Sequence, residues 1–368
     1  MILGVAFVWF TTHFGGGFAS GAQIYSYYVR YGIWCLLMPV LAMGYNAVFF
    51  AYCLRFARKH GVYDYRSYNN AFYGKFAPVF SNLFEVLYIC VMCVAPAVAF
   101  ATGGATLSTL TGLPYLLCTL IIGIFIFVVA VFGTDLVRKV ASVLSVCIIA
   151  GLLIVYIPNI IAQWGDITAS IGRMTSGEMP VISSETGAFG PALWSAVLYF
   201  FFQLASVSVM YQHMEDVTDV KQINKAAIWM FICNFLAMEL SIFGLLAIAY
   251  VAELATASVP MLVLVQNGVG AGILTPIISI LIILGAISTA VNMISGIVTR
   301  CVNAMERRMD SKEKKAKGHL ARNAVFTAIF TFLAFAIAQF GLMTVVKKGY
   351  AYLGYAAFIT LFVPFVVH

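Results

Sequence analysis

The chain has 368 residues, of which 62% are hydrophobic and only 10% are charged, and its mean hydropathy is +0.98. A soluble chain of this length cannot bury that much apolar surface, so the composition excludes a soluble globular protein. The formal net charge of +7 does not indicate nucleic-acid binding, because excess Lys and Arg mark the cytoplasmic loops of membrane proteins.

The first apolar segment, residues 2–29, is interrupted at its centre by three consecutive glycines in the sequence THFGGGFASG. Each glycine costs about 1 kcal/mol of helix stability relative to alanine, so we expect the backbone to unwind at Gly15–Gly17. Unwound backbone is tolerated at membrane depth only where it is buried in protein or lines a cavity. Broken helices of this kind form the central site of many secondary transporters.

The hydropathy pattern predicts an all-α polytopic membrane protein with a single domain, residues 1–368. Ten membrane-spanning helices are predicted, at about residues 2–29, 32–55, 79–106, 114–134, 140–161, 190–213, 224–252, 270–300, 321–340 and 349–367.

The positions of the basic residues support this count. With a cytoplasmic N-terminus, 17 of the 21 Lys and Arg residues lie in cytoplasmic loops, and the outside keeps Arg30, Arg173, Lys347 and Lys348. This bias follows the positive-inside rule and places both termini in the cytoplasm.

Ten helices divide into two halves of five, at about residues 1–161 and 190–368. The sixth helix, which opens the second half, has polar residues at its centre in YFFFQLASVSV, among them Gln203 and Ser206. Because the halves begin on opposite sides of the membrane, this layout is typical of an inverted-topology repeat.

The sequence GGGFASGAQI in the first helix, together with VVKKGYAYLGY at Val345–Tyr355, resembles the YkvI family of bacterial membrane proteins. That family is related to the amino acid–polyamine–organocation superfamily. The resemblance covers essentially the whole chain and implies the LeuT fold, a 5+5 inverted repeat with helices 1 and 6 broken at a central site. It also implies a location in the bacterial inner membrane.

The substrate site is expected at the break in the first helix. There the amides of Gly17, Phe18, Ala19 and Ser20 would face a cavity, since the N-terminus of a helix binds anions. In related transporters the equivalent segment holds a substrate carboxylate. The alternative is that the glycines only allow close helix packing. The full predicted set is Gly15, Gly16, Gly17, Phe18, Ala19, Ser20, Phe202, Gln203 and Ser206.

The resemblance also implies a sodium site, because sodium symporters of the LeuT fold bind the ion with a helix 8 carbonyl, two helix 8 hydroxyls and two helix 1 carbonyls. Gly285, Ser288 and Thr289 have the required spacing on the eighth helix, with Thr11 and Phe14 as the carbonyl partners. Proton-coupled relatives can carry a Lys in helix 5 in place of sodium, and no Lys follows Lys139 in that helix. No cofactor other than sodium is expected.

Three ionisable residues are predicted inside the membrane: His13 beside the break, Glu85 and Glu239. His13 either couples protons to transport or stays neutral and holds the broken backbone, which is the preferred interpretation. Glu85 is expected to pair with a cation near the cytoplasmic end of the third helix.

The sequence therefore predicts a secondary transporter of a small organic solute, an amino acid or related amine, working by alternating access with sodium coupling. A proton-coupled or uncoupled exchanger and a non-transporting sensor are the alternatives. No catalytic motif is present, so no enzyme is expected. The expected partners are the solute and the lipid bilayer, without nucleic acid, and the sequence leaves the oligomeric state open.

Overall fold

The computed structural model describes residues 2–132, 134–181, 183, 185–209, 219–307, 309 and 312–367. The described residues form helices and short connections, without a β-strand. The helices of the first half are α1 (Ile2–His13), α2 (Gly16–Ala19), α3 (Ala22–Tyr27), α4 (Met38–His60), α5 (Tyr65–Tyr73), α6 (Ala77–Thr111), α7 (Tyr115–Phe132), α8 (Thr134–Ala162) and α9 (Trp164–Thr175).

The second half contains α10 (Phe189–Leu204), α11 (Val220–Leu246), α12 (Pro260–Gln266), α13 (Ala271–Arg307), α14 (Lys312–Ala338), α15 (Leu342–Thr344), α16 (Tyr350–Ala357) and α17 (Val363–Val367). Turns of 3₁₀-helix lie at Val29–Leu36 and Ala205–Val209, among other places. Turns of π-helix join α15 to α16 at Val345–Gly349 and α16 to α17 at Phe358–Phe362.

Eight helical spans among the described residues are long and apolar enough to cross a membrane, which identifies a polytopic membrane protein. A ninth results if residues 149–162 and 164–175, which meet at a bend of 75°, count as one span. The segment α1–α3 is not among the eight, because it is divided into helices of 12, 4 and 6 residues.

Several boundaries differ from the predicted ones. Helices α6 and α13 are longer than predicted, and α6 continues without interruption through Pro96. Helix α9 occupies a stretch that the sequence indicated only as a connection, and α11 ends at Leu246 rather than near residue 252. These differences concern helix ends, where the hydropathy pattern gives the weakest signal.

The centre of the molecule is formed by α6 and α13, which pack along each other, with α2 lying against both. Helix α1, which precedes α2 in the chain, packs on α11 and on the 3₁₀ turn at Ala205–Val209. The break in the first helix is therefore surrounded by elements from both halves of the chain.

Candidate functional site

The first helix is broken twice. Helix α1 ends at His13 and α2 begins at Gly16, with Gly15 in an extended conformation (φ −78°, ψ −175°) between them. The second break lies at Gly21, whose φ of +78° favours glycine. The amide of Met261 in α12 donates to the carbonyl of Ser20 (3.0 Å), so the second half of the chain satisfies backbone freed by this break.

The free amides at the first break differ from the predicted ones. The amides of Phe18 and Ala19 donate to the carbonyl of Gly15 (3.0 Å each), and that of Ser20 donates to Gly16 (3.0 Å). The prediction that these three amides are free was wrong, because α2 forms a complete turn. Gly15, Gly16 and Gly17 have amides without a backbone acceptor, as the first residues of a helix do.

A cavity of about 60 Å³ lies at the first break. At roughly 10–15 Å³ for each water-sized group, it holds about four to six such groups. Of the predicted substrate residues, it is lined by Gly15, Gly16, Phe202, Gln203 and Ser206, whereas Gly17, Phe18, Ala19 and Ser20 lie outside its lining. The remaining wall is formed by Thr12, His13, Gln23, Val91, Met92, Ala95, Val98, Ala205, Thr289, Met293 and Tyr350.

The glycines also allow close packing, as the alternative interpretation predicted. A Cβ atom on Gly16 would lie 3.1 Å from Thr102 Oγ1, and one on Gly17 would lie 3.0 Å from Val98 Cγ1. A Cβ atom on Gly15 would meet only Thr289, at 3.7 Å. Close packing therefore accounts for glycine at positions 16 and 17. The backbone of Gly15, by contrast, is accessible from the cavity.

His13 is held by a chain of hydrogen bonds among buried side chains. Its Nδ1 lies 2.7 Å from Oδ1 of Asn234, and its Nε2 lies 2.5 Å from the hydroxyl of Tyr199. Asn234 donates through Nδ2 to the carbonyl of Met230 (2.8 Å), so its Oδ1 accepts, and His13 carries its proton on Nδ1. Tyr199 then donates to His13 Nε2 and accepts from Gln23 Nε2 (2.6 Å).

This chain of hydrogen bonds joins α1, α3, α10 and α11 around the break. The arrangement agrees with a neutral His13 that holds the broken backbone. Sequence reasoning identified His13 but missed Tyr199, Asn234 and Gln23. The available signal was Gln23, an amide side chain within an apolar segment.

The predicted sodium ligands are only partly brought together. Of the five, Thr289 lines the cavity beside Gly15. Gly285 is buried in α13 and Ser288 is half-buried, but neither lines the cavity, and the Thr11 side chain lies outside the described residues. The Phe14 side chain faces an apolar groove formed with α8 and α11. The complete ligand set stays a prediction.

Aromatic side chains close the cavity on the side predicted to face outward. The Phe202 ring stacks on Tyr350, which also lines the cavity, with centroids 4.0 Å apart and planes at 12°. The hydroxyl of Tyr27 donates to the carbonyl of Lys347 (3.0 Å), which fastens α3 to the π-helical turn before α16. The ring centroid of Tyr27 lies 5.3 Å from that of Tyr199.

An ion pair links α6 and α13 on the opposite side of the cavity. Arg300 Nη2 in α13 lies 2.5 Å from Glu85 Oε1 in α6, and the hydroxyl of Tyr65 donates to Glu85 Oε2 (2.7 Å). The Arg300 guanidinium lies 4.7 Å from the ring centroids of both Tyr65 and Tyr88. The pair lies about two helical turns from Met92 and Met293 of the cavity wall. The expected cation partner of Glu85 is therefore Arg300. Glu239 does not line the cavity, and its Oε1 is buried without a hydrogen-bond partner.

A second pocket, of about 290 Å³, opens beyond the aromatic closure and is lined by Tyr27, Tyr31, Trp194, Lys347 and Lys348, among others. Glu185 lies 3.7 Å from both Arg30 and Lys347. Lys347 and Lys348, both predicted outside the membrane, thus line this pocket, and Arg30 shares Glu185 with Lys347.

No family model matches the chain, and no curated protein matches it. Among solved structures, it is similar to a manganese transporter from Eremococcus coleocola in complex with an aromatic bis-isothiourea compound. The two chains are 16% identical, the match covers 98% of this chain and 77% of the other, and the TM-score is 0.55. A histidine-to-alanine mutant of that transporter matches over the same shares at 15% identity, with a TM-score of 0.49. The chain thus has the fold of a multi-pass membrane transporter.

Proposed function

We propose that the chain is a secondary transporter that moves a small, carboxylate-bearing solute, most simply an amino acid, by alternating access. The observation that carries the proposal is the cavity at the α1–α2 break, where unpaired amides of Gly15 and Gly16 meet polar side chains in a transporter fold. The proposed topology counts α1–α3 as one broken span. With the bent pair and the eight helical spans, this gives ten spans arranged as five plus five.

The charges around the cavity favour a solute with a carboxylate. The described cavity wall contains no Asp, Glu, Lys or Arg, so a cationic solute without a carboxylate of its own would lack a counter-charge there. Backbone amides at the start of α2 and the amide of Gln203 can instead donate to a carboxylate. Arg30, Lys347 and Lys348 at the outer mouth raise the local concentration of anionic groups. A zwitterionic amino acid fits this pattern better than a simple amine.

The cavity also favours a small solute over a divalent metal ion. Manganese prefers oxygen ligands, carboxylates above all, and the described residues hold no group of three His, Cys, Asp or Glu side chains. The manganese transport named for the similar structure is therefore not proposed for this chain. The cavity volume of about 60 Å³ matches a solute of a few heavy atoms that is enclosed by the protein.

Sodium is the proposed coupling ion, supported by the Thr289 side chain beside the open backbone at Gly15. Proton coupling through His13 is the alternative, supported by the position of His13 in the cavity wall. Exchange without ion coupling and a non-transporting sensor are the remaining alternatives.

Thermal stabilisation of the purified chain tests both the proposed solute and the proposed coupling ion, because a ligand that binds only the folded state raises the apparent stability of the protein. Small amino acids are added one at a time in sodium, potassium or choline at matched ionic strength. We expect stabilisation by an amino acid in sodium that Thr289→Ala abolishes. The control variant is Thr299→Ala, because the exposed Thr299 hydroxyl donates to the Ser295 carbonyl of its own helix.

Amino acids that stabilise the chain are then tested for uptake into proteoliposomes. Uptake driven by a pH gradient and indifferent to sodium would replace sodium by protons. Binding without flux would favour a sensor, and stabilisation by manganese but by no amino acid would refute the proposed solute.

A further inference from the structure

A long apolar groove lies on the outer surface of the bundle between α4 and α11, away from the transport cavity. Its volume is about 510 Å³. Gly44, Ala47 and Ala51 recur at helical spacing along its α4 side and form a floor without large side chains. The other lining residues are Val40, Val48, Ala227, Ile228 and Phe231, and Val48 and Ile228 are 63% and 57% exposed.

The groove ends at a cluster of positive charge. Arg55 lines it and donates from its guanidinium to Oδ1 of Asn224, which also lines it. Lys59 lies one turn beyond Arg55 on α4, and Lys221 and Lys225 flank Asn224 at the start of α11; all three are exposed. In the part of the chain that the structure describes, none of these four basic side chains forms an ion pair.

The groove is long enough to accommodate an acyl chain from one leaflet of a bilayer. Fifteen residues separate Val40 from Arg55, which corresponds to about 22 Å along a helix. Because the hydrocarbon core of a bilayer is about 30 Å thick, a groove of this length reaches from the interface past the midplane. The basic end lies at the face that the positive-inside rule predicts to be cytoplasmic.

We propose that this groove is a binding site for an anionic phospholipid, with an acyl chain along Gly44, Ala47 and Ala51 and its phosphate at Arg55 and the neighbouring lysines. Guanidinium groups bind phosphate through charge-assisted hydrogen bonds, and basic sites between helices recognise anionic headgroups. A second copy of the chain fits less well. A two-fold axis along the membrane normal would bring the two Arg55 clusters together, and like charges repel.

Binding is tested on the full chain purified in detergent, with dioleoylphosphatidylglycerol and dioleoylphosphatidylcholine as probes and native mass spectrometry as the readout. We expect the wild type to bind the anionic lipid about tenfold more tightly than the zwitterionic one. Arg55→Gln should remove that preference and leave the affinity for phosphatidylcholine unchanged, whereas Arg66→Gln, an exposed basic residue outside the groove, should change neither.

The groove itself is tested by Gly44→Leu. A Cβ atom on Gly44 has its nearest contact at 3.9 Å, on Phe231 Cε2, so the larger side chain fills the groove without a backbone clash. It should weaken binding of both lipids at least tenfold. The control is Gly272→Leu at an exposed glycine of α13, where an added Cβ atom would meet no other atom within 4 Å, and this variant should have no effect.

Three results would overturn the proposal. Equal wild-type affinity for the two lipids would remove the headgroup assignment. Full competition by free glycerol phosphate would show that the basic cluster binds a soluble anion without the groove. A wild-type dimer that Gly44→Leu dissociates would assign the groove to a second copy of the chain.

Discussion

Removal of one hydroxyl group should show how much the His13 hydrogen-bond chain contributes to stability. The hydroxyl of Tyr199 accepts from Gln23 and donates to His13, and all three residues are at most 4% exposed. Tyr199→Phe keeps the ring contacts and leaves a buried donor and a buried acceptor without partners. Each such group costs about 1–3 kcal/mol, so we expect the free energy of unfolding to fall by about 2–6 kcal/mol.

The matched control is Tyr28→Phe, because the ring of Tyr28 lies 5.1 Å from that of Tyr199 and its buried hydroxyl has no hydrogen-bond partner among the residues that the structure describes. Its removal should leave the stability unchanged or raise it slightly. Both variants are compared with the wild type by reversible unfolding in mixed micelles of increasing denaturing detergent. A Tyr199→Phe effect within about 0.5 kcal/mol of that of Tyr28→Phe would refute the assigned hydrogen-bond chain.

Further substitutions test the break, the ion pair and a helix cap. Gly17→Ala should destabilise the chain by about 1–3 kcal/mol, because its Cβ would lie 3.0 Å from a neighbouring side chain. Gly15→Ala should instead fold normally and weaken binding of the amino acid. Thermal unfolding with and without the amino acid separates the two effects. Glu85→Gln should cost about 1 kcal/mol at low salt and less at high salt, because about a third of each partner's side chain is exposed, and an effect independent of salt would contradict the ion-pair role. Asp64→Ala should cost about 1 kcal/mol at neutral pH, because Asp64 caps α5. Hydrogen bonds from Ser67 lower the pKa of Asp64 below 3.8. The ionised carboxylate therefore stabilises the fold above pH 3.8, and this contribution is lost as the pH falls through the lowered pKa. Stability curves of Asp64→Ala and the wild type that fail to converge in acid would contradict this role of the carboxylate.

The helical class and the position of the first break could be predicted from the sequence because they depend on local composition. Three glycines at the centre of an apolar segment are visible without any tertiary information, and α1 does end two residues before Gly15. The polar centre of the sixth helix also marked a real change, since α-helical geometry ends at Leu204 and a 3₁₀ turn follows.

The contents of the site could not be predicted in the same way, because they depend on long-range contacts. Asn234 and Tyr199 lie 221 and 186 residues from His13 along the chain, and nothing in the local sequence indicates that either residue contacts His13. Of the four amides predicted to be free, those of Phe18, Ala19 and Ser20 are hydrogen-bonded, because an additional helical turn, α2, begins within the glycines at Gly16. A single turn is too short to leave a periodic signal.

The two closures of the cavity differ in physical character, and this difference bears on the transport cycle. The side predicted to face outward has stacked rings and the hydrogen bond from Tyr27 to the backbone, contacts that salt screens little. The side predicted to face inward has the ion pair of Arg300 and Glu85, which is partly exposed and hence weakened by salt and water. Alternating access requires that one closure opens while the other holds. In the proposed cycle, a solute that enters from the side predicted to face outward would displace Phe202 or Tyr350, which line the cavity. Solute binding and closure on that side would thus involve the same two rings, whereas the ion pair that joins α6 to α13 lies about two turns from the cavity wall.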